Sequence, residues 1–270
     1  MMKFVRCIYA LLLLLLIACD RVENGPSAIL IAHAGGAVDG VVMTNSREAL
    51  VTARDNGFKF IEFDLILTAD SVLVATHSWE EYNAGNGHEK RGGTAPTLAE
   101  FLSQPLPGGH TPLTAKDIND FFVAHDSLFL VTDKVSDARV LGDYFPELKN
   151  RMMVEAFSYK DYCELLRQGY AYVTYSCLAE DVDVAPVKHL LFHWLFSGEK
   201  IECVALHTSA FEYGYLKILR ALANFKIALY TVNDLSEIPE NATDDIIYLY
   251  TDFLLPTSTQ GAERYLRQFS

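Results

Sequence analysis

A closed (β/α)8 barrel, built as a single domain, is the fold class that this sequence predicts, and three observations carry the prediction. Eight short apolar runs recur along the chain, at residues 28–33, 59–65, 128–133, 152–157, 170–176, 201–206, 225–231 and 246–251. The segments between them are mostly long enough for a crossover helix, the arrangement that gives parallel strands rather than a sandwich. The runs also finish in polar groups: His33, Glu62 with Asp64, Asp133 with Lys134, Tyr175-Ser176, His207-Thr208, Thr231 with Asn233, and Thr251-Asp252. In a barrel all of these ends meet on one rim, which is where the fold builds its sites. Composition agrees, since 270 residues of which 50% are hydrophobic and 21% charged suffice for one large core. A formal net charge of −13 argues against a sequence-independent grip on nucleic acid, and an acidic chain that handles anions needs a local cation.

The first segment stands outside the domain. Lys3 and Arg6 precede an unbroken apolar stretch over 8–18, shorter than the roughly 20 residues of a spanning helix and patterned as an export signal. Leu16-Ile17-Ala18-Cys19 resembles the lipobox of bacterial lipoproteins, which implies cleavage before Cys19 and lipidation of its thiol. Residues 1–18 are then a lipoprotein signal peptide, 19–27 the lipidated Cys and tether, and 28–270 the barrel; a secretory signal with an incidental Cys is the alternative. Removing 1–18 takes two positive charges, leaving 20 against 35, or −15. The expected location is a bacterial cell envelope, with the chain held to a membrane by its lipid. Asp20 favours the periplasmic face of the inner membrane if the source is Gram-negative. Among the remaining cysteines, Cys163, Cys177 and Cys203 show no CxxC spacing and read as small buried hydrophobes rather than zinc ligands.

Within the domain the elements follow in order. The first run ends in His33, followed by Gly35-Gly36, where absent side chains let a ligand approach the backbone. Over 46–56, Ala49, Leu50 and Ala53 recur at helical intervals, and Asn56-Gly57 ends that helix before the next strand. In the second run Glu62 and Asp64 are two apart, so on a strand they share a face while Phe63 points away. Paired carboxylates repel unless a cation sits between them, and oxygen ligands of this kind suit Mg²⁺ or Ca²⁺. An exposed edge strand with solvated acids is the alternative. The turn-like Thr68-Ala69-Asp70 leads into a short strand over 71–76 that ends at His77. Two imidazoles beside a metal-ready acidic pair are the parts for acid–base cleavage of a phosphodiester. One removes a proton from the nucleophile and the other protonates the leaving oxygen. Trp79 and Tyr82, with the glycine-rich stretch 83–93, read as a mobile rim loop that admits a substrate head group. His88, Arg91 and His110 read as solvated loop residues, and His207 as a rim residue.

Ile31-Ala32-His33-Ala34-Gly35-Gly36, Thr44-Asn45-Ser46-Arg47-Glu48-Ala49, residues 60–64 with Thr68, Asp70 and 72–77, Tyr230-Thr231-Val232-Asn233 and Tyr250-Thr251-Asp252 follow one another along the chain. As an ordered set they resemble the glycerophosphodiester phosphodiesterases of the phosphatidylinositol-phospholipase-C-like barrel superfamily. In that family the corresponding motifs are His-Arg-Gly, Pro-Glu-Asn-Thr, Ile-Glu-x-Asp with Thr-x-Asp-Gly and Val-x-x-His-Asp, Trp-Thr-Val-Asn, and Thr-Asp. The resemblance implies that His33 and His77 are the acid–base pair and that Glu62 and Asp64 ligate the divalent ion; Asn45 is a candidate substrate contact, and Tyr230, at the family's Trp position, packs either a glycerol face or the barrel core. Three departures stand out: Ala34 replaces the family's Arg, Ser78 its Asp after the second His, and Thr44 its Glu.

The loss of the Arg removes a bidentate phosphate clamp. Lys134 is the candidate for the missing charge, with an ion pair to Glu155 on the next strand as its alternative role. The family's third acid lies two residues before a Lys on one strand. Here that position is Thr132, and strict alternation turns Asp133 the other way, so Asp133 completes the metal site only if the strand ends or bulges there. The implied activity is metal-dependent hydrolysis of glycerophosphodiesters to a phosphomonoester and an alcohol. Cleavage of a phosphatidylinositol-like lipid or a glycerophosphate surface polymer is the first alternative, and an inactive scaffold lipoprotein the second.

Overall fold

A computed structural model describes residues 28–176, 201–212, 225–238 and 245–256. The expected signal peptide, Cys19, the tether and Cys177 lie outside the described residues. Each of the eight apolar runs forms a strand: β1 (Ile29–Ala32), β2 (Phe60–Leu67), β4 (Phe129–Asp133), β5 (Met152–Ala156), β6 (Tyr172–Ser176), β7 (Cys203–His207), β8 (Lys226–Tyr230) and β9 (Ile246–Thr251). They pair in parallel in the order β1-β9-β8-β7-β6-β5-β4-β2, and β1 pairs again with β2, so the barrel is closed. A ninth strand, β3 (Leu73–Ala75), folds back antiparallel on β2 outside the ring.

Alternation along each strand sorts the core into two layers. Ile31, Phe60, Val131, Met153, Ala205, Ala228 and Tyr248 fill the barrel, with the Phe60 and Phe129 rings stacked at 4.7 Å. Ala32, Ile61, Phe63, Leu130, Val154 and Leu206 point outward into a larger layer beneath the helices. Those helices are α1 (Arg47–Asp55), α4 (Ala115–Ala124), α5 (Ala138–Tyr144) and α6 (Tyr159–Arg167). Helix α1 starts where Ser46 accepts a hydrogen bond from the Ala49 N–H at 3.1 Å, and it buries Ala49, Leu50 and Ala53 as their spacing predicts. Cys163 and Cys203 are buried free thiols, and none of the described helices is long and apolar enough to cross a membrane.

Three expectations need correcting. The stretch after His77 is not a loose loop: it contains α2 (Trp79–Gly85) and leads to α3 (Leu98–Leu102), and Val74, Tyr82, Phe101 and Leu106 form a small core of their own. Polar groups lock it as well, because Asn83 is fully buried and its amide donates to the carbonyls of Gly92 and Thr94, while Trp79 Nε1 donates to Leu67 O. His110 is buried rather than solvated, packed against Gly108. Gly35 leaves room for the chain itself rather than for a ligand. A Cβ there would lie 2.6 Å from the Ala49 Cβ, and its φ of +84° disfavours any side chain.

Gly35→Ala therefore combines a steric clash with backbone strain, and should lower the unfolding free energy by about 2 kcal/mol or more, read from denaturant midpoints. An unchanged midpoint would show that α1 shifts without cost.

Candidate active site

The C-terminal ends of β2 and β4 build the centre of the rim. Their register sets Glu62 opposite Val131 and Asp64 opposite Asp133, so Glu62, Asp64 and Asp133 all face the barrel axis on the same side as Phe60 and Val131. Oxygens of these three carboxylates lie within 4.8 Å of one another. The alternation argument for Asp133 thus inverts: Thr132 is the outward residue of β4 and Asp133 the inward one, with no bulge needed. The turn comes one residue later, where Lys134 adopts φ +68° and carries its ammonium back over the cluster. Lys134 Nζ stands 2.9 Å from Asp133 and 3.6 Å from Asp64. Its direct ion-pair partners are these two acids rather than Glu155.

Each acid is held by a specific partner. The Ala34 N–H donates to Glu62 Oε2 at 2.6 Å, which fixes the turn after β1. Asn45 is fully buried; its amide donates to Asp64 Oδ2 at 2.9 Å while its carbonyl accepts from the Asp64 N–H at 3.0 Å. Both ends of the Asn45 amide therefore engage Asp64, and the residue positions that acid. Glu62 Oε1 is buried without a hydrogen-bond partner. Burial, then the negative charges of Asp64 and Asp133, push the Glu62 carboxyl well above the usual carboxylate range. Burial and Asp64 raise Asp133 too, against the opposing pull of Lys134. On Lys134, burial disfavours the charge, yet Asp133 and Asp64 outweigh it and hold its pKa above the ordinary lysine value. An orphaned carboxylate oxygen beside two repelling acids is the donor set of a hard divalent cation, and the residues present fit Mg²⁺ or Ca²⁺.

His33 follows β1 directly. Its Nδ1 contacts Asp252 Oδ1 at 2.9 Å, and Asp252 Oδ2 accepts from the Asn233 amide at 2.8 Å. Asn233 in turn accepts from the Asp252 N–H and the Thr251 hydroxyl. Partial burial acts to raise the Asp252 carboxyl, but the hydrogen bonds from His33 and Asn233 outweigh it and bring it below its ordinary value. An ionised Asp252 makes Nδ1 the protonated nitrogen of His33 and leaves Nε2 for chemistry. His77 follows β3 and reaches the same rim through Thr76, whose N–H donates to the Asp64 carbonyl at 3.0 Å. Its Nδ1 lies 2.8 Å from Glu81 Oε2 on α2. A cavity of about 280 Å³ opens beside it, lined by Thr44, Thr76, His77, Glu81, Tyr82 and Asn86 among others.

The remaining candidates sit farther round the rim. The Tyr230 ring stands edge-on to both His207 and Tyr250, in an aromatic row above the barrel core. His207 is exposed, with Nδ1 2.8 Å from the Ser209 hydroxyl. Glu155, on the strand beside β4, is buried, and burial followed by the charge of Asp133 raises its pKa to about 8. Sequence reasoning gave no role to Asp252, Asn233 or Glu81. For the first two the signal was present, as polar residues closing the last two runs; for Glu81 it lay in the His-x-x-x-Glu spacing at a helix start.

This fold and rim define a parallel-barrel protein with an acidic cation-type centre flanked by carboxylate-held histidines. No model of a known protein family matches the chain, and no curated protein does. Solved structures do match. A glycerophosphodiester phosphodiesterase from Parabacteroides distasonis is 19% identical, with a TM-score of 0.61 over 92% of this chain and 100% of that one. One from Thermotoga maritima is 18% identical, with a TM-score of 0.60 over 89% of this chain and 98% of that one. An Oleispira antarctica phosphodiesterase, solved in complex with the product sn-glycerol-3-phosphate, is 16% identical, with a TM-score of 0.60 over 83% and 93%. Likeness at such identities is likeness of fold: the chain has the barrel that these glycerophosphodiester phosphodiesterases share.

The Glu155 shift fixes a pH dependence. Its folded pKa of about 8 exceeds the ordinary 4.5, so its contribution to stability is complete below about pH 4.5 and lost as the pH rises through 8. In chelator, the unfolding free energy read from denaturant midpoints should fall between about pH 5 and about pH 9. Glu155→Gln should flatten that fall by an amount on the order of a few kcal/mol; a variant with the same pH profile as wild type would contradict the assignment.

Proposed function

We propose that this chain is a divalent-cation-dependent phosphodiesterase that hydrolyses glycerophosphodiesters to a phosphomonoester of the sn-glycerol 3-phosphate type and an alcohol. The observation that carries this reading is the trio of buried Glu62, buried Asp64 and half-buried Asp133, with its partnerless Glu62 Oε1, on the same rim as the Asp252-held His33. The product-bound phosphodiesterase of the same fold supports the substrate class.

Glu62, Asp64 and Asp133 would hold Mg²⁺ or Ca²⁺, which when bound supplies positive charge against the phosphate oxygens. Lys134, the cation nearest the trio among the described ion pairs, contributes the charge that Ala34 cannot. Nε2 of His33 takes the proton of the attacking oxygen, either of water or of a neighbouring substrate hydroxyl whose cyclic phosphodiester water then opens, and the Asp252 carboxylate stabilises the imidazolium so formed. His77 returns a proton to the oxygen of the departing alcohol. Tyr230, edge-on to its neighbours, offers a flat apolar face to the glycerol carbons. The lipobox ending in Cys19 supports attachment to a membrane of the bacterial cell envelope, and with it a second reading in which the diester belongs to a phosphatidylinositol-like lipid or a glycerophosphate polymer.

Assays on the full-length chain in detergent test the reading. Phosphomonoester release from glycerophosphodiesters should require a divalent ion, cease in chelator, and fall by about 10³-fold or more in His33→Ala and Glu62→Gln. Release from phosphatidylinositol vesicles but not from soluble diesters would favour the second reading; no turnover with any divalent ion would sink both. Separately, Cys19→Ser should abolish incorporation of labelled fatty acid and free the chain from the membrane fraction, whereas unchanged labelling would refute lipidation at that residue.

A further inference from the structure

The second histidine carries a feature that the motif resemblance does not supply. Position 78 is Ser rather than Asp, and the Ser78 hydroxyl caps α2 by accepting from the Glu81 N–H at 3.2 Å. Capping at Ser78 starts the helix immediately after His77 and places Glu81 one turn on, so its carboxylate reaches back to His77 Nδ1 at 2.8 Å. Both side chains line the cavity of about 280 Å³, and Thr76, also in its wall, donates its N–H to the Asp64 carbonyl on the acidic strand β2. A carboxylate only accepts, so the contact places the proton of a neutral His77 on Nδ1. His33 is held through the same nitrogen by Asp252.

We propose that Glu81 is the positioning residue for His77, fixing the ring and its tautomer so that Nε2 serves the departing alcohol in the cavity the two residues line. The proposal deepens the phosphodiesterase reading and rests on it for the identity of the proton acceptor. As the bond between phosphorus and the leaving oxygen breaks, its electron pair stays on that oxygen. The Nε2 proton of the doubly protonated ring follows it, giving a neutral alcohol and a neutral His77 that keeps its Nδ1 proton against Glu81. The arrangement is that of a carboxylate orienting a catalytic imidazole, supplied here from a helix one turn downstream. Glu81 is largely solvent-exposed, at 63%, so its removal leaves the core intact.

Two measurements on the full-length chain in detergent test the pair. Long-range ¹⁵N–¹H spectra of histidine-labelled protein should show neutral His77 as the Nδ1–H tautomer in wild type and a shift toward Nε2–H in Glu81→Ala. A wild-type Nε2–H ring, or a ring indifferent to the substitution, overturns the proposal whether or not any diester is cleaved. In the second, Glu81→Ala should lower kcat about 10- to 100-fold on glycerophosphoethanolamine with little change in KM. The loss should be far smaller on a diester that releases 4-nitrophenol, which leaves without a proton, and Glu81→Gln, whose carbonyl still accepts from Nδ1–H, should recover much of the rate. Equal losses with both leaving groups would assign Glu81 a merely structural role and overturn the proposal. An inactive wild type would overturn the hydrolytic reading instead, with the tautomer still deciding on the pair.

Discussion

Three carboxylates, two buried and one half-buried, with oxygens within 4.8 Å of one another are the constraint on which the upper half of this barrel depends. Their mutual repulsion and desolvation disfavour folding unless each is tied to something, and the ties reach every neighbouring element. Glu62 draws in the backbone after β1 through the Ala34 N–H. Asp64 draws in the segment before α1 through Asn45, whose amide donates to its carboxylate. Asp133 and Asp64 together fold Lys134 back over the rim. The loops that surround the centre are thus organised by the charges at its bottom, and a centre built in this way is preorganised before any substrate arrives.

The two histidines show how the same result is reached on different scaffolding. One sits at the end of a barrel strand and takes its carboxylate from across the ring, 219 residues away in sequence. The other sits beyond the ring, on the hairpin partner of β2, and lies against a carboxylate four residues on. The first arrangement is half-buried and reinforced by Asn233, while the second is more exposed and depends on one helical turn.

The strand pattern was legible because each run is apolar in its middle and polar at its end, and all eight runs became strands of the ring. Glu62 and Asp64 were legible because alternation over Phe60, Glu62 and Asp64 depends on one strand alone. Asp133 was harder: its facing depends on the register of β4 against β2, which nothing local encodes, and the family spacing pointed to Thr132 instead. The segment after His77 was misjudged because its glycines and polar residues suggested an open loop. What orders it is a contact set spread between Val74 and Leu106, with the buried Asn83 amide at its middle. Asn45 was assigned to the substrate by its motif; its place against both the carboxylate and the N–H of Asp64 depends on the fold of the segment before α1, which nothing local encodes.

That separate small core has a consequence for how the molecule can change. Tyr82, Phe101 and Leu106 pack with one another and with Val74 of the hairpin, apart from the two clusters that hold the barrel together. Tyr82 and Leu106 also line the cavity beside His77. The wall of the cavity beside His77 therefore rests largely on a core of its own, joined to the barrel through β3 and the Thr76–Asp64 backbone hydrogen bond. Substitutions at Tyr82, Phe101 or Leu106 can enlarge or narrow that cavity while the acids and their tethers stay in register, so the shape of the cavity and the make-up of the acidic centre can drift along different lineages at different speeds.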